Sequence, residues 1–287
     1  MAKMDLLAIR EMDAKEINEI VKFAQELKKG KKKVSMPGKT LAMIFEKPST
    51  RTRVSFEVAM SQLGGHAIYL DLPGTQLGMG ETMADTARTL GRYVNAIMAR
   101  VYKHADLAEL AKHAEVPVIN GLSDEEHPCQ ALGDLLTIME RGKTKGKIAF
   151  VGDPASAVAN SFAHACAKMK LNLVFVCPPG YEPKVKGARV EHDLMKGVQG
   201  ADVVYVGGWR DGEEESEEMN RAFVNYQLNA KALAKAKKDC VVMHALPAKR
   251  GVEITSDVLD GRNSAVWEQA ENRLHVQKAV LARLLKK

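Results

Sequence analysis

The sequence predicts an α/β protein with two doubly wound parallel-sheet domains and a C-terminal helix that packs back on the first domain. Short apolar runs that fit buried strands alternate with segments of helical periodicity. The same alternation starts again about halfway along the chain. A chain of 287 residues is also longer than most single small domains, which favours two domains.

The first series of elements begins with a helix at 13–28, for which Asp13 is the expected cap. Further helices are predicted after Arg53, at 83–93 and at 106–114. Strands are predicted at 40–45, 67–70, 96–100 and 116–120. Strands that alternate with helices form a parallel sheet covered on both faces. Ligands of such a sheet bind beyond the carboxyl ends of its strands.

A helix at 128–141 is predicted to leave the first domain, and we place the domain boundary near Asp134. The first domain is then 1–134 together with a C-terminal helix at 269–287, and the second is 135–268. The second series has these predicted elements: strands at 147–153, 173–177, 203–206 and 241–244, and helices at 161–169 and 271–285.

The charge pattern argues against nucleic acid as a partner. The formal net charge is +6, but acidic and basic residues are scattered together along most of the chain. Aromatic residues make up 5% of the sequence, and no nucleic-acid-binding motif is present. A small anionic substrate explains the basic excess equally well.

Composition and motifs also indicate the compartment of the protein and the cofactors to expect. The four cysteines lie far apart without C-x-x-C spacing, which favours reduced thiols over a metal or redox site. No apolar stretch approaches the roughly 20 residues of a membrane span. The glycines of a G-x-G-x-x-G dinucleotide motif are missing after the strand at 147–153. We therefore expect a cytoplasmic protein without metal, cofactor or membrane partner.

The segment Ser49-Thr50-Arg51-Thr52-Arg53 lies where a predicted strand gives way to a helix. Backbone N–H groups without helical partners and the positive end of the helix dipole meet there. Together with two guanidinium and three hydroxyl groups, they suit a phosphate dianion. The alternative is an ordinary helix cap with solvent-facing arginines.

Other polar residues are predicted to reach the same edge of the first sheet. Arg100 ends the strand at 96–100, and His127 follows the next strand, just before a helix. Since carboxyl ends of parallel strands share one edge, Arg51, Arg100 and His127 should converge there. Such a group favours a ligand that carries both a phosphate and a polar carbonyl.

Four motifs, in this order, resemble the signatures of the aspartate and ornithine transcarbamylases. They are Ser49-Thr50-Arg51-Thr52-Arg53, His127-Pro128-Cys129-Gln130-Ala131-Leu132, His244-Ala245-Leu246-Pro247 and Glu271-Asn272-Arg273-Leu274-His275. The chain is similar to the ornithine carbamoyltransferase branch of that family over nearly its full length. The resemblance implies a carbamoyl-phosphate domain, an amine-binding domain, and a homotrimer or a multiple of trimers.

The resemblance also implies roles for individual residues. The implied phosphate ligands are Ser49, Thr50, Arg51 and Thr52, with Gln76 reaching the phosphate of a neighbouring subunit. Arg100 and His127 would contact the carbonyl oxygen, and Arg51, Thr52, Arg100 and His127 would form the catalytic set. Gln130 and the Leu246 carbonyl would bind the carbamoyl NH2 group, and Arg273 would close on the ligand.

The second-substrate side departs from the family pattern at several positions. This chain has Ser156-Ala157, Gly207-Gly208, Asp211-Gly212-Glu213 and Ala245 at positions where the family usually has other residues. The stretch between Tyr181 and Asp202 is also shorter than is usual in the family. Each lost hydrogen bond to a charged group costs about 1.5–3 kcal/mol. Three functions therefore stay open: a carbamoyltransferase for ornithine, one for a different amine, and a catalytically silent regulatory subunit that binds carbamoyl phosphate.

Charge alone suggests two groups of residues that would contact the acceptor in place of the family's usual ones. Asp211 and the acidic residues 213–215 suit a cationic acceptor such as a polyamine, and Lys249 and Arg250 suit a carboxylate. Both are hypotheses about the acceptor. The acidic run at 213–218 also fits a solvated loop or helix start.

Overall fold

A computed structural model of the chain describes residues 3–185, 187–209 and 217–285. The chain divides into two compact units, one made of Met1–Gly133 with Asn272–Lys287 and the other of Asp134–Glu271. One parallel sheet has four strands and the other has five. The predicted α/β class with two parallel sheets is therefore confirmed.

The first unit is built on a sheet with the strand order β2-β1-β3-β4. Its strands are β1 (Thr40–Phe45), β2 (His66–Asp71), β3 (Ala96–Arg100) and β4 (Val118–Leu122). Its helices are α1 (Ala14–Lys28), α2 (Thr50–Gln62), α3 (Met83–Tyr93) and α4 (His104–His113), and α5 (Pro128–Glu140) begins in it. Short 3-10 helices lie at Ile9–Glu11, Leu72–Gly74 and Gln76–Met79. The central strands β1 and β3 are almost wholly buried, which explains their continuous apolar sequence.

Element boundaries follow local hydrogen bonding. Asp13 caps α1 as predicted, since its carboxylate accepts the Glu16 N–H at 2.8 Å. The predicted strand at 116–120 is displaced to Val118–Leu122, because Pro117 has no N–H to donate to a ladder. Helix α4 starts earlier than predicted, at His104, whose N–H donates to the Asp124 carboxylate at 2.7 Å.

The N-terminal segment adds to the edge of the first sheet, which the sequence did not predict. Leu6 forms a parallel bridge with Ile119, beside β4. Its N–H donates to the Val118 carbonyl at 2.9 Å, and its carbonyl accepts the Asn120 N–H at 2.8 Å. Residues that precede the first predicted helix are thus held against the last strand of the sheet.

The second unit is built on a sheet with the strand order β7-β6-β5-β8-β9. Its strands are β5 (Lys147–Val151), β6 (Asn172–Val176), β7 (Arg189–Glu191), β8 (Val203–Val206) and β9 (Val241–His244). Its helices are α6 (Ala157–Lys168), α7 (Leu194–Val198), α8 (Glu217–Phe223), α9 (Ala230–Leu233) and α10 (Ser256–Leu259), and α11 (Val266–Leu285) begins in it. The short β7 and the helices α7 to α10 were not predicted, because elements of three to seven residues carry too few periodic positions.

The C-terminal helix belongs to the first unit from Asn272 onward. Arg283 pairs with Glu16 and Glu19 of α1 at 3.2 and 2.9 Å. The predicted return of this helix to the first domain is confirmed, although α11 starts at Val266 and not at 271. No helix among the described residues is both long and apolar enough to cross a membrane.

Candidate active site

The start of α2 has the geometry expected for anion binding. The Ser49 hydroxyl accepts the Thr52 N–H at 3.2 Å and so caps the helix. Arg53 is tied to Glu57 at 3.0 Å and lies 3.7 Å over the Tyr69 ring. Arg51 is half-buried, and this burial lowers the pKa of its guanidinium. The ordinary cap accounts for Ser49 and Arg53, but it gives no reason for a half-buried Arg51.

Arg100 ends β3 and His127 follows β4, two strands that lie on the same side of β1, which leads to this helix start. Arg100 is the last residue of β3 and lies in register with Phe45, the last residue of β1. Its carbonyl accepts the Glu46 N–H at 2.9 Å, which joins it to the loop before α2. His127 follows β4, and its carbonyl accepts the first N–H groups of α5.

Arg273 joins three helices of the first unit through its guanidinium. One nitrogen donates to the Gln130 side-chain oxygen at 2.7 Å, and another donates to the Thr52 hydroxyl at 3.3 Å. All three side chains are buried. Arg273 therefore positions two other candidate ligands, beyond the contact with the substrate that the resemblance implies.

The His127 ring lies in a strongly positive environment. Burial holds the pKa of His127 well below its ordinary value, and the positive charges of Arg273, Arg100, Lys47 and Arg51 lower it further. The ring is therefore neutral at pH 7. His127 thus lies within electrostatic range of Arg51 and of Arg100.

Lys47 was missed by the sequence analysis. It lies two residues after β1, in the loop that leads to Ser49, and its ammonium group is 5.1 Å from the centre of the Tyr102 ring. Its position after a strand end, at the same edge as Arg51, was the available signal. Lys47 adds a further cation to the region around His127.

The depressed pKa of His127 predicts a loss of stability in mild acid. Below pH 6.5 the unfolded chain binds a proton at this histidine that the folded chain does not bind, so the free energy of unfolding falls with pH. This loss should grow as the pH falls from about 7.5 to about 5.5, the range over which the histidine of the unfolded chain takes up its proton. Denaturant unfolding of the wild type and of His127→Phe measures it. An equal pH dependence in both proteins would contradict the prediction.

Two candidates remain, Gln76 and Leu246. Gln76 is exposed on the 3-10 helix Gln76–Met79 after β2. Leu246 lies in the second unit, after β9, with a positive φ of 56° and a cis peptide bond to Pro247. Among the described residues, no group of three His, Cys, Asp or Glu side chains is placed to hold a metal ion.

A buried pair of residues holds the turn that contains Leu246. The Leu246 N–H donates to His244 Nδ1 at 2.8 Å, so the ring proton of a neutral His244 lies on Nε2. Nε2 in turn contacts Glu253 Oε1 at 3.2 Å, and the same oxygen accepts the Lys249 N–H at 2.6 Å. Glu253 was not predicted, since nothing in the local sequence links it to a histidine nine residues earlier.

Several acceptor-side residues already have structural partners. Ser156 caps α6 by accepting the Ala159 N–H at 3.3 Å. The Arg250 guanidinium makes two bonds to Asp260, at 2.5 and 2.9 Å, which weakens its proposed role as a carboxylate ligand. Asp211 and the acidic residues 213–215 lie outside the described residues.

Gly207, the first of the two glycines that stand where the family pattern has an aspartate, has no room for a side chain. A Cβ built there lies 2.5 Å from Cζ of Phe150, a buried ring of β5. Phe150 packs against Phe162, Phe175 and Tyr205, with ring centroids 5.0 to 6.3 Å away. A side chain at 207 would therefore be directed into the aromatic core of the second unit.

This crowding predicts that Gly207→Ala destabilises the protein. Overpacking of a well-packed core costs typically about 1–3 kcal/mol. Denaturant unfolding should show that loss, and the double variant with Phe150→Leu should recover part of it. Full stability of Gly207→Ala would show that the Phe150 ring moves freely.

The chain matches models of both domains of one enzyme family. Residues 4–140 match the carbamoyl-P binding domain of aspartate/ornithine carbamoyltransferase, and residues 144–284 match its Asp/Orn binding domain. The anabolic ornithine carbamoyltransferase of Pyrococcus furiosus is 52% identical, over 98% of this chain and 96% of that protein. The ornithine carbamoyltransferase of Bacillus subtilis is 48% identical, over 99% of this chain and 94% of that protein.

Solved structures agree with these matches. A structure of ornithine carbamoyltransferase from Pyrococcus furiosus has a TM-score of 0.91 and 51% identity, covering 99% of this chain and 97% of that one. The enzyme from Thermus thermophilus also has a TM-score of 0.91, at 40% identity and with 98% and 99% coverage. The chain therefore belongs to the aspartate/ornithine carbamoyltransferase family.

Proposed function

We propose that the protein transfers the carbamoyl group of carbamoyl phosphate to the amine of a small amino-acid-like acceptor, with ornithine as the first candidate. The observation that supports this most is the set of cations around a buried, neutral His127 beside the start of α2. These groups fit a ligand with a dianionic phosphate and a polar carbonyl.

Carbamoyl phosphate would bind at the edge of the first sheet. Its phosphate would accept hydrogen bonds from the helix start and from the side chains of Ser49, Thr50, Arg51 and Thr52. Arg273 and Gln130 are linked by a 2.7 Å hydrogen bond, so Gln130 is held in one orientation to receive the carbamoyl NH2 group. The Leu246 carbonyl would be the second acceptor for this group.

The reaction follows from the charges that develop. A neutral amine attacks the carbonyl carbon and a C–N bond forms, while the C–O bond to phosphate breaks with its electron pair on the departing phosphate. The proton that the amine nitrogen loses goes to an oxygen of that phosphate. Negative charge builds on the carbonyl oxygen, where Thr52, Arg100 and the N–H of neutral His127 would donate hydrogen bonds. Arg51 and Lys47 would stabilise the leaving phosphate.

Ornithine is the first candidate acceptor because the relatives from Pyrococcus furiosus and Bacillus subtilis are named ornithine carbamoyltransferases. With ornithine, the reaction would belong to arginine biosynthesis. A different amine is the second candidate, because this chain has Gly207-Gly208 where the family pattern has an aspartate. No carboxylate at position 207 is available to hold an α-ammonium group.

We further propose a cytoplasmic homotrimer, or a multiple of trimers, in which Gln76 completes a neighbouring site. The surface around Gln76 supports this assembly. Met79 is 82% exposed on the same 3-10 helix, and Ile68 is 40% exposed on the edge strand β2. Apolar side chains at an unpaired sheet edge are typical of a surface that another chain covers.

Carbamoyl-phosphate-dependent formation of a ureido product tests the function. Ornithine, putrescine and other small amines are supplied in turn, and the product is measured colorimetrically and by mass spectrometry. Turnover with ornithine supports the first candidate, and turnover with another amine alone supports the second. If carbamoyl phosphate binds but no amine reacts, the catalytic proposal fails and the silent regulatory subunit takes its place.

A further inference from the structure

Glu126 directly precedes His127 and is fully buried. Its carboxylate points to the N-terminal segment and not to the candidate ligand site: Oε2 accepts the Ile9 N–H at 2.6 Å, and Oε1 accepts the Arg10 N–H at 3.4 Å. The Arg10 guanidinium lies 3.6 Å from the same Oε1. Ile9 and Arg10 are the first residues of the 3-10 helix Ile9–Glu11, so the carboxylate accepts the N–H groups at its start.

The backbone of Glu126 is fixed as firmly as its side chain. Its carbonyl accepts the Ser123 N–H at 3.1 Å and the Asn120 side-chain amide at 3.2 Å. Its N–H donates to the Ser123 hydroxyl at 3.3 Å. The Asn120 amide also donates to the Leu7 carbonyl at 2.7 Å. The loop before His127 is therefore bound to the N-terminal segment at two places.

We propose that Glu126 is a positioning residue for carbamoyl transfer. Its carboxylate holds the N-terminal segment against the loop that precedes His127. The inference rests on the proposed function of His127 as a donor to the carbonyl oxygen. Glu126 touches neither substrate in this account. It acts through the peptide bond that it shares with His127 and through the segment that it holds.

Two physical arguments support a role beyond general stability. A buried carboxylate is costly unless its hydrogen bonds are satisfied, so its two oxygens fix the relative position of loop and segment closely. Donors to a developing negative charge tolerate errors of about 0.5 Å and 10–20°. Because His127 is the next residue, any rotation of the Glu126 backbone moves the imidazole.

The neighbouring Glu125 provides a matched control. Its exposed carboxylate pairs with the same Arg10 guanidinium at 2.7 Å, and its side chain is 48% exposed. Glu125→Gln therefore weakens an ion pair to Arg10 and leaves the buried contacts of Glu126 in place. Glu126→Ala removes those contacts, and Glu126→Gln keeps one side-chain oxygen for the Ile9 N–H.

The test compares kcat, carbamoyl-phosphate affinity and thermal stability for these variants. Glu126→Ala should lower kcat about 10- to 100-fold, as expected for an imidazole displaced by up to about 1 Å. Carbamoyl-phosphate affinity should change little, since most of the proposed phosphate ligands lie at the start of α2. The kcat of Glu126→Gln should lie between those of Glu126→Ala and the wild type. The kcat of Glu125→Gln should equal that of the wild type. Should Glu126→Ala not fold, Glu126→Gln carries the test alone.

A kcat in the Glu126 variants equal to that of Glu125→Gln would overturn the proposal. So would a parallel loss of kcat, affinity and stability, which marks a purely structural residue. If the wild type itself lacks turnover, the proposed function fails. The NMR signals of the His127 ring then test separately whether Glu126 positions His127. A shift of these signals in Glu126→Gln but not in Glu125→Gln supports it, and unchanged signals overturn it.

Discussion

Arg51→Ala is expected to weaken carbamoyl-phosphate binding by about 10- to 150-fold, the equivalent of one charge-assisted hydrogen bond worth about 1.5–3 kcal/mol. Arg51 is half-buried at the first turn of α2, where its guanidinium adds to the N–H groups of the helix start. The fold should persist, because Arg51 lies at the start of α2, outside the buried strands of the sheet. Isothermal titration with carbamoyl phosphate measures the affinity.

Arg53→Ala is the matched control for Arg51→Ala. It removes the same side chain two positions later, where the guanidinium pairs with Glu57 and stacks on Tyr69. Its carbamoyl-phosphate affinity should stay close to that of the wild type. Equal affinities of the two variants and the wild type would show that Arg51 does not bind the phosphate.

His127→Phe is expected to lower kcat by about 10²- to 10³-fold, the usual loss when one donor to a developing oxyanion is removed. The ring size is kept, but the N–H group is lost. Because the pKa of His127 lies well below its ordinary value, the lost group is a neutral donor and not a cation. Carbamoyl-phosphate affinity should therefore change little.

His127→Asn tests whether a neutral N–H donor is what the site needs. Its amide can replace part of the imidazole, so its kcat should lie between those of His127→Phe and the wild type. Steady-state kinetics at pH 7 to 8, with the acceptor that gives turnover, compare the three proteins. A kcat for His127→Phe equal to that of the wild type would remove His127 from the mechanism.

The first unit was largely predictable from sequence because two simple rules act there. Alternating apolar and helical segments give a parallel sheet, and the carboxyl ends of its strands share one edge. Arg51, Arg100 and His127 lie at or after strand ends, and this position is the reason for predicting that they converge. Lys47 obeys the same rule and was overlooked among the other loop residues.

Other features depend on contacts that no local pattern carries. Glu126 binds Ile9 and Arg10, which lie more than 110 residues earlier in the chain. Arg273 bonds to Gln130 and Thr52, which are 143 and 221 residues away. In the second unit, the consequence of Gly207 becomes clear only when the Phe150 ring is seen to fill the adjacent space.

We propose that Arg51, Arg100 and His127 surround one bound dianion at the edge of the first sheet. A crystal structure of the protein with carbamoyl phosphate would show this arrangement. We expect phosphate oxygens within hydrogen-bond distance of residues 49–52, and the carbonyl oxygen within that distance of Arg100 and His127. Carbamoyl phosphate bound elsewhere, with these side chains in contact only with protein or water, would contradict it.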